Sequence, residues 1–129
     1  MGQKYLIDSN VIIDYVSNRL PIKGSDFVEQ IFNGKFLISV IVKIEVLGFD
    51  DAPHKMAAME DFIGMAKVIP LDEKLTNTAI KLRRKYKKLK LGDAIIASTA
   101  IEHNLILITN NFADFSNISE LKLLNPYQI

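Results

Sequence analysis

The sequence predicts a three-layer α/β/α sandwich around a central, mostly parallel sheet, folded as one domain over residues 1–129. Three observations predict it. Short apolar runs alternate with longer amphipathic stretches along the chain, the order expected of successive β–α–β units. The runs themselves, such as "KYLI" and "LILIT", are apolar throughout rather than alternating, as strands covered on both faces are. Finally, no internal repeat, low-complexity tract or linker-like shift interrupts the series. With 129 residues, 49% of them hydrophobic, the chain suits a single core, a size at which folding buries about two-thirds of the unfolded surface.

The first strand is expected from about Lys4 to Asp8, where Tyr5, Leu6 and Ile7 favour a pleated, buried surface and an acid ends the run. A short helical piece follows from Asn10 to Val16, and "NRLPIKGS" carries the Pro and Gly of a loop. Phe27, Val28, Ile31 and Phe32 then recur at helical spacing, with Ser25 as cap and Gly34 as stop. "KFLIS" is a second strand. In "SVIVKIEVLGF", Ser39, Ile41, Lys43 and Glu45 alternate against Val40, Val42, Ile44 and Val46. That pattern formally favours one long strand over a helix, and the pattern alone does not separate the two.

Further on, "DAPHKMAAMEDFIGMAK" reads as an amphipathic helix with Met56, Met59, Phe62 and Ile63 on its core side. "KVIPL" is a short strand, and Asp72 caps a long helix through Tyr86. "LGDAIIASTAIEHN" forms another helix ending at Asn104, Leu105 to Thr109 a buried strand, and "LKLLNP" the last one.

Composition narrows the chemistry. The absence of cysteine excludes disulfides, thiolate metal sites and a thiol nucleophile, and fits a reducing compartment. No basic-then-apolar leader opens the chain and no apolar run nears the roughly 20 residues that span a bilayer, so a cytoplasmic protein without a membrane segment is expected. Sixteen Lys plus Arg against fifteen Asp plus Glu leave a formal charge of +1. Any nucleic-acid signal is therefore local.

In parallel sheets ligands bind beyond the carboxyl ends of the strands, and Asp8 falls at such an end. Asp93 is conspicuous within an otherwise uncharged stretch. It caps its helix or meets the positive end of the helix dipole, or else it serves as a ligand, because a buried carboxylate must be paired, hydrogen-bonded or bound to a cation. Glu45 would face Asp8 if a helix starts after Ser39, and would be an ordinary exposed residue if the segment is a strand. Thr109, Asn110, Asn111 and Asp114 follow another apolar strand; they are common turn residues, yet they stand at the same kind of edge. Carboxylates brought together repel, and a divalent cation keeps them ionised. All-oxygen donors favour Mg²⁺ or Mn²⁺ over Zn²⁺, while His54 and His103 lie apart on separate helices and read as surface residues.

The chain resembles the PIN-domain proteins, and among them the toxins of VapC type. The resemblance is carried by "YLIDSNVIID", "ISVIVKIEVLGF", "KLGDAIIASTAIEHNLILITNNFADF" and "LKLLNP" in that order. It implies a metal-dependent ribonuclease with acids at the carboxyl edge of a parallel sheet. By position it makes Asp8, Glu45 and Asp93 the acidic ligands, and it favours a helix after Ser39. Ser9 and Asn10 resemble the small polar residues that orient the first acid, and Thr109 the hydroxyl residue supporting the site. At the fourth acidic position the chain departs from the pattern, with Asn111 in place of an aspartate and Asp114 three residues on.

The resemblance further implies a VapB-type antitoxin and a homodimer. The apolar residues between Pro53 and Ala66 would suit either contact, as would core packing. Lys85, Lys87, Lys88 and Lys90, within "KLRRKYKKLK", are candidate RNA contacts; a solvated helix face, with Leu82, Tyr86 and Leu89 packed inward, is the better account of most of that run. Two other classes fit less. A phospho-receiver domain would want adjacent acids after its first strand, and a haloacid-dehalogenase-type phosphatase an aspartate where Asn10 stands. A PIN fold with weak or lost catalysis, kept for binding RNA or an antitoxin, is the alternative that Asn111 motivates.

Overall fold

Apolar runs of three residues are enough to build the sheet because each strand is covered on both faces. The structure, a computed structural model, describes residues 4–129. Strands β1 (Tyr5–Ile7), β2 (Leu37–Ser39), β3 (Lys67–Ile69), β4 (Ile106–Ile108) and β5 (Lys122–Leu124) lie in the order β3-β2-β1-β4-β5. Every neighbouring pair is parallel. The sheet is thus wholly, not mostly, parallel among the described residues. Leu6 sits in register between Leu37 and Leu107, and Leu6, Ile7, Ile38, Leu107 and Ile108 are solvent-free.

Helices α1 (Ser9–Val16), α2 (Ile22–Phe32), α3 (Val40–Leu47), α4 (Pro53–Gly64), α5 (Glu73–Lys85), α6 (Leu91–Glu102) and α7 (Phe112–Phe115) make the connections, and a 3-10 turn (Pro126–Gln128) closes the chain. The result is the three-layer α/β/α sandwich. Strand order runs outward from β1 in one direction through β2 and β3, then resumes on its other side with β4 and β5. The β1/β4 boundary is therefore the topological switch point, where open α/β sheets leave a crevice beyond the strand ends.

Several local expectations change. The helix after the first loop starts at Ile22, inside "NRLPIKGS", and not at Ser25. Pro21 occupies the cap position with an extended ψ of 150° and its carbonyl accepts from the Ser25 N–H, which places Ser25 in the first turn. Gly24 is tolerated there because the C-terminal 3-10 turn packs against it; a Cβ would overlap the Pro126 carbonyl. Segment Val40–Leu47 is a helix despite its alternation. The Ser39 hydroxyl accepts from the Ile41 N–H at 3.1 Å and caps it. Only Val42 and Val46, four apart, are buried, which leaves Ile44 61% exposed. An excess of apolar residues on both faces had disguised the period.

The methionine side of α4 is core only in part, since Ile63 is buried while Met56, Met59 and Phe62 are half-buried. Phe62 joins an aromatic group with Phe32 and Phe36, at centroid distances of 5.0 and 5.1 Å. Helix α6 ends at Glu102, and Asn104 turns the chain toward β4 with a φ of 54°. Among the described residues no helix is long and apolar enough to cross a membrane.

Candidate active site

Asp8 ends β1 and occupies the N-cap of α1, so the backbone fixes its carboxylate at the switch point. One oxygen accepts from the Ser9 N–H at 2.8 Å. The other accepts from Asn10 Nδ2 at 3.2 Å and from the Thr109 hydroxyl at 2.7 Å. The residue is only 4% exposed, and none of the ion pairs among the described residues involves it. Burial raises its proton affinity, and the hydrogen bonds from Thr109, Ser9 and Asn10 only partly offset this. The carboxylate is held rigidly by neutral donors while its charge stays uncompensated.

The same donors staple the two strand ends together. Asn10 Oδ1 accepts from the Asn110 N–H at 3.4 Å, and the Thr109 hydroxyl accepts from the Asn111 N–H at 3.0 Å. Ser9, Asn10 and Thr109 thus all hydrogen-bond to Asp8.

Glu45 reaches the crevice from α3. Although the residue as a whole is exposed, partial desolvation of its carboxylate and the charge of Asp8 raise its proton affinity, against a lowering contact from Ser9. Asp93 lies in the first turn of α6, whose cap position is Lys90, and no side chain caps that helix. The capping explanation of Asp93 is therefore not what the fold uses. Burial, then the charges of Asp114 and Asp8, push its carboxyl up to about 6, with Lys90 opposing.

Asp114 falls on α7, a short helix that strand–helix patterning did not anticipate. Its carboxylate accepts from Asn111 Nδ2 at 3.0 Å and lies 3.5 Å from Lys90 Nζ. The Asn111 hydrogen bond, followed by Lys90, holds it below the usual carboxylate range despite some desolvation. Asn111 and Asp114 thus form one unit, not alternatives.

The structure places Asp8 within electrostatic reach of Glu45 on one side and of Asp93 on the other, and Asp93 within reach of Asp114, with Asn111 beside the last. As placed, no three His, Asp or Glu side chains among the described residues are close enough to share one ion. The donor chemistry nevertheless suits a hard divalent cation: all the donors are oxygens, and three of the carboxylates have raised proton affinities. His54 and His103 are exposed and take no part.

The basic run divides. Leu82 and Leu89 pack inward as expected. Lys85 pairs with Glu120 at 3.8 Å and Lys90 with Asp114, while Lys87 and Lys88 have no ion pair among the described residues. One participant escaped sequence reasoning. The Tyr127 hydroxyl, in the C-terminal 3-10 turn, donates to Asp14 Oδ2 and lies 3.5 Å from the Asn10 carbonyl. Burial and the charges of Asp14 and Asp8 push this phenol well above its ordinary value. Nothing local in "NPYQI" announces it; only docking against α1 does.

Fold and site together define a class: a parallel α/β domain with carboxylates gathered at its switch point. The chain belongs to the PIN domain family, whose model matches residues 5–121. It is 28% identical over 133 residues to ribonuclease VapC2 of Haemophilus influenzae, covering 95% of this chain and 97% of that protein. It is 29% identical over 130 residues to ribonuclease VapC2 of Rickettsia felis, covering 94% and 96%. Among solved structures, a chain of a toxin–antitoxin complex from Klebsiella pneumoniae is 31% identical and matches with a TM-score of 0.80 over 98% of this chain and 100% of that one. A chain of VapBC-1 from nontypeable Haemophilus influenzae is 26% identical, with a TM-score of 0.78 over 96% and 98%.

Proposed function

We propose that this chain is a Mg²⁺- or Mn²⁺-dependent endoribonuclease, the toxin of a VapBC-type toxin–antitoxin pair, acting in the cytoplasm. The observation that carries the reading is Asp8: a buried carboxylate fixed by three neutral donors, without a cationic partner among the described residues, whose charge is felt by Glu45 and Asp93. Neutral donors satisfy its oxygens while leaving its charge for a cation to balance, and an N-cap alone would not call for the further acids around it. The names of the VapC relatives support the same activity.

Asp8, Glu45 and Asp93 would hold the cation, with Asn111 and Asp114 completing its surroundings through their mutual hydrogen bond. When bound, such a cation polarises the phosphate and makes water a competent nucleophile, so no protein nucleophile is required. Ser9, Asn10 and Thr109 orient Asp8. Lys85, Lys87, Lys88 and Lys90 lie along the approach for RNA, with Lys87 and Lys88 the ones not engaged in ion pairs.

A VapB-type antitoxin and a second copy of the chain are the proposed protein partners, in keeping with the complexes in which structural neighbours were solved. An apolar cleft between α1, α3 and α4, bordered by Val46, Phe49, Met56 and Met59, suits such a contact.

The test is cleavage of a labelled RNA pool by purified protein with Mg²⁺, Mn²⁺ or EDTA, beside Asp93→Asn prepared identically. Metal-dependent cutting that is lost in the variant is expected. Full activity of Asp93→Asn would remove the site assignment, and metal binding without cleavage by either protein would leave a PIN module that only binds.

A further inference from the structure

Between the α5–α6 turn and α7 lies a cleft of about 270 Å³, bordered by Lys87, Lys88, Ala113, Asp114, Asn117 and Ile118. We infer that this cleft is the subsite for one nucleotide of single-stranded RNA flanking the scissile phosphate, with Lys87 and Lys88 on its phosphate and Asn117 at the edge of its base. The inference rests on the ribonuclease reading and names how the substrate is held.

Position is the first support. Asp114 belongs both to this cleft and, through Asn111 and Asp93, to the acid crevice, so the two are contiguous. A strand lying across the acids would pass directly into it.

Charge is the second. The four lysines of the turn look equivalent in sequence, but Lys85 stands 3.8 Å from Glu120 and Lys90 3.5 Å from Asp114. Lys87 and Lys88 are exposed and have no ion pair among the described residues. The two lysines that border the cleft therefore meet a phosphate without first giving up an acidic neighbour, a small advantage for exposed pairs.

Rigidity is the third. The turn is braced by the Leu89 N–H donating to the Tyr86 carbonyl at 3.1 Å and by Arg83 Nε donating to the Leu89 carbonyl at 3.4 Å. The Tyr86 hydroxyl donates to Glu120 at 3.0 Å and accepts from the Ser119 N–H at 3.3 Å, which ties the turn to the segment before β5. The turn wall is thus braced before a ligand arrives, which lowers the ordering cost of binding. Leu89 and Ile118 line the inner side of the cleft but are almost solvent-free, so the exposed groups a nucleotide would meet are Lys87, Lys88, Ala113 and Asn117. The exposed carboxamide of Asn117 offers a donor and an acceptor at the rim, the kind of group that reads base edges in single-stranded RNA.

The experiment is fluorescence anisotropy of a labelled single-stranded RNA 12-mer at several salt concentrations in EDTA, where cleavage is off. Wild type is compared with Lys87→Ala/Lys88→Ala, with Asn117→Ala, and with Lys35→Ala/Lys67→Ala as a charge-matched control at the opposite strand edge. The Lys87/Lys88 variant is expected to bind roughly tenfold more weakly, its salt dependence shallower by about 0.7 for each phosphate no longer neutralised. The control should match wild type, and Asn117→Ala should weaken binding with the salt slope unchanged. No binding by wild type at low salt, or a slope indifferent to Lys87 and Lys88, overturns the subsite. So does a double variant that keeps RNA affinity but loses binding to a polyglutamate peptide, which would assign the cleft to an acidic protein partner. Adding Mn²⁺ separates the two readings. A wild type that binds with the expected slope yet never cuts leaves the subsite standing without the ribonuclease, and one that cuts with an indifferent slope does the reverse.

Discussion

The two halves of the acid crevice solve the same problem differently. On the β1 side, Asp8 is buried and pinned by the Ser9 N–H, the Asn10 amide and the Thr109 hydroxyl. On the α6–α7 side, Asp93 and Asp114 are partly open to solvent and set one another's charge, with Lys90 and Asn111 as moderators. Position is fixed by hydrogen bonds in the first half; in the second, partial burial raises Asp93 and the Asn111 hydrogen bond lowers Asp114, with neighbouring charges adding to both. A site built this way keeps one rigid acid as a reference and leaves the other half able to respond to whatever cation or phosphate enters.

The most severe way to break the comparison is to remove a charge from each half. Asp8→Asn and Asp93→Asn should each lower metal-dependent RNA cleavage at least about a thousandfold while circular dichroism stays native, since the loss is one of transition-state electrostatics. If only one of them is inactive, the halves do not act on one reaction.

Thr109→Val strikes the rigid half through its support. It removes a buried hydroxyl that donates to Asp8 and accepts from Asn111, so urea unfolding should show a loss of about 2 kcal/mol, the scale for a hydrogen bond to a charged group. Removing a comparable polar neighbour from the open half should cost far less.

The open half should instead reveal itself through pH. Asp93 is held at about 6 in the folded protein, above its unfolded value near 3.9, so in this window the native state binds more protons than the unfolded one. Stability due to this group is therefore full below about pH 4 and lost as pH rises through 6. After allowance for solvent screening of a half-exposed group, that is about 1 kcal/mol. In EDTA, urea midpoints measured at pH 4.5 and 7.5 should show Asp93→Asn gaining relative to wild type at the higher pH. Equal differences at both would remove the proposed repulsion.

Lys90→Ala should have the smallest effect. It unpins Asp114 and withdraws the cation opposing Asp93, so the pH midpoint of the Asp93 contribution should move upward by a fraction of a unit. Cleavage should change only severalfold. An unmoved midpoint would show that Lys90 pairs with Asp114 without reaching Asp93.

How much of this was legible can be judged residue by residue. The strands around Leu6, Ile38 and Leu107 read correctly because buried parallel strands are continuous apolar runs, and the acid at the end of the first needed only that reading to be singled out. Asp72 declared itself as a cap, and its side chain does accept from the Leu75 N–H at 2.9 Å. Glu45 could not be placed from periodicity, because Ile41, Ile44 and Val40 add apolar residues to faces that the helix leaves open. The family resemblance, not the pattern, pointed to the helix. Helix α7 is four residues long, too short to display a period, and the start of α2 at Ile22 was hidden by the Pro and Gly of "NRLPIKGS", which read as a loop.

The sequence by itself determined the number and kind of the strands, the absence of cysteine and which carboxylates were candidates for the site. Those are consequences of local composition: which residues tolerate burial on both faces, and which side chains can bear charge. Only the tertiary structure decided which donors hold Asp8, that Asn111 donates to Asp114, and that two of four neighbouring lysines stand beside acids. Each of these depends on distances between segments far apart in the chain, and hydrogen bonds and charge interactions are fixed by such distances, not by residue type.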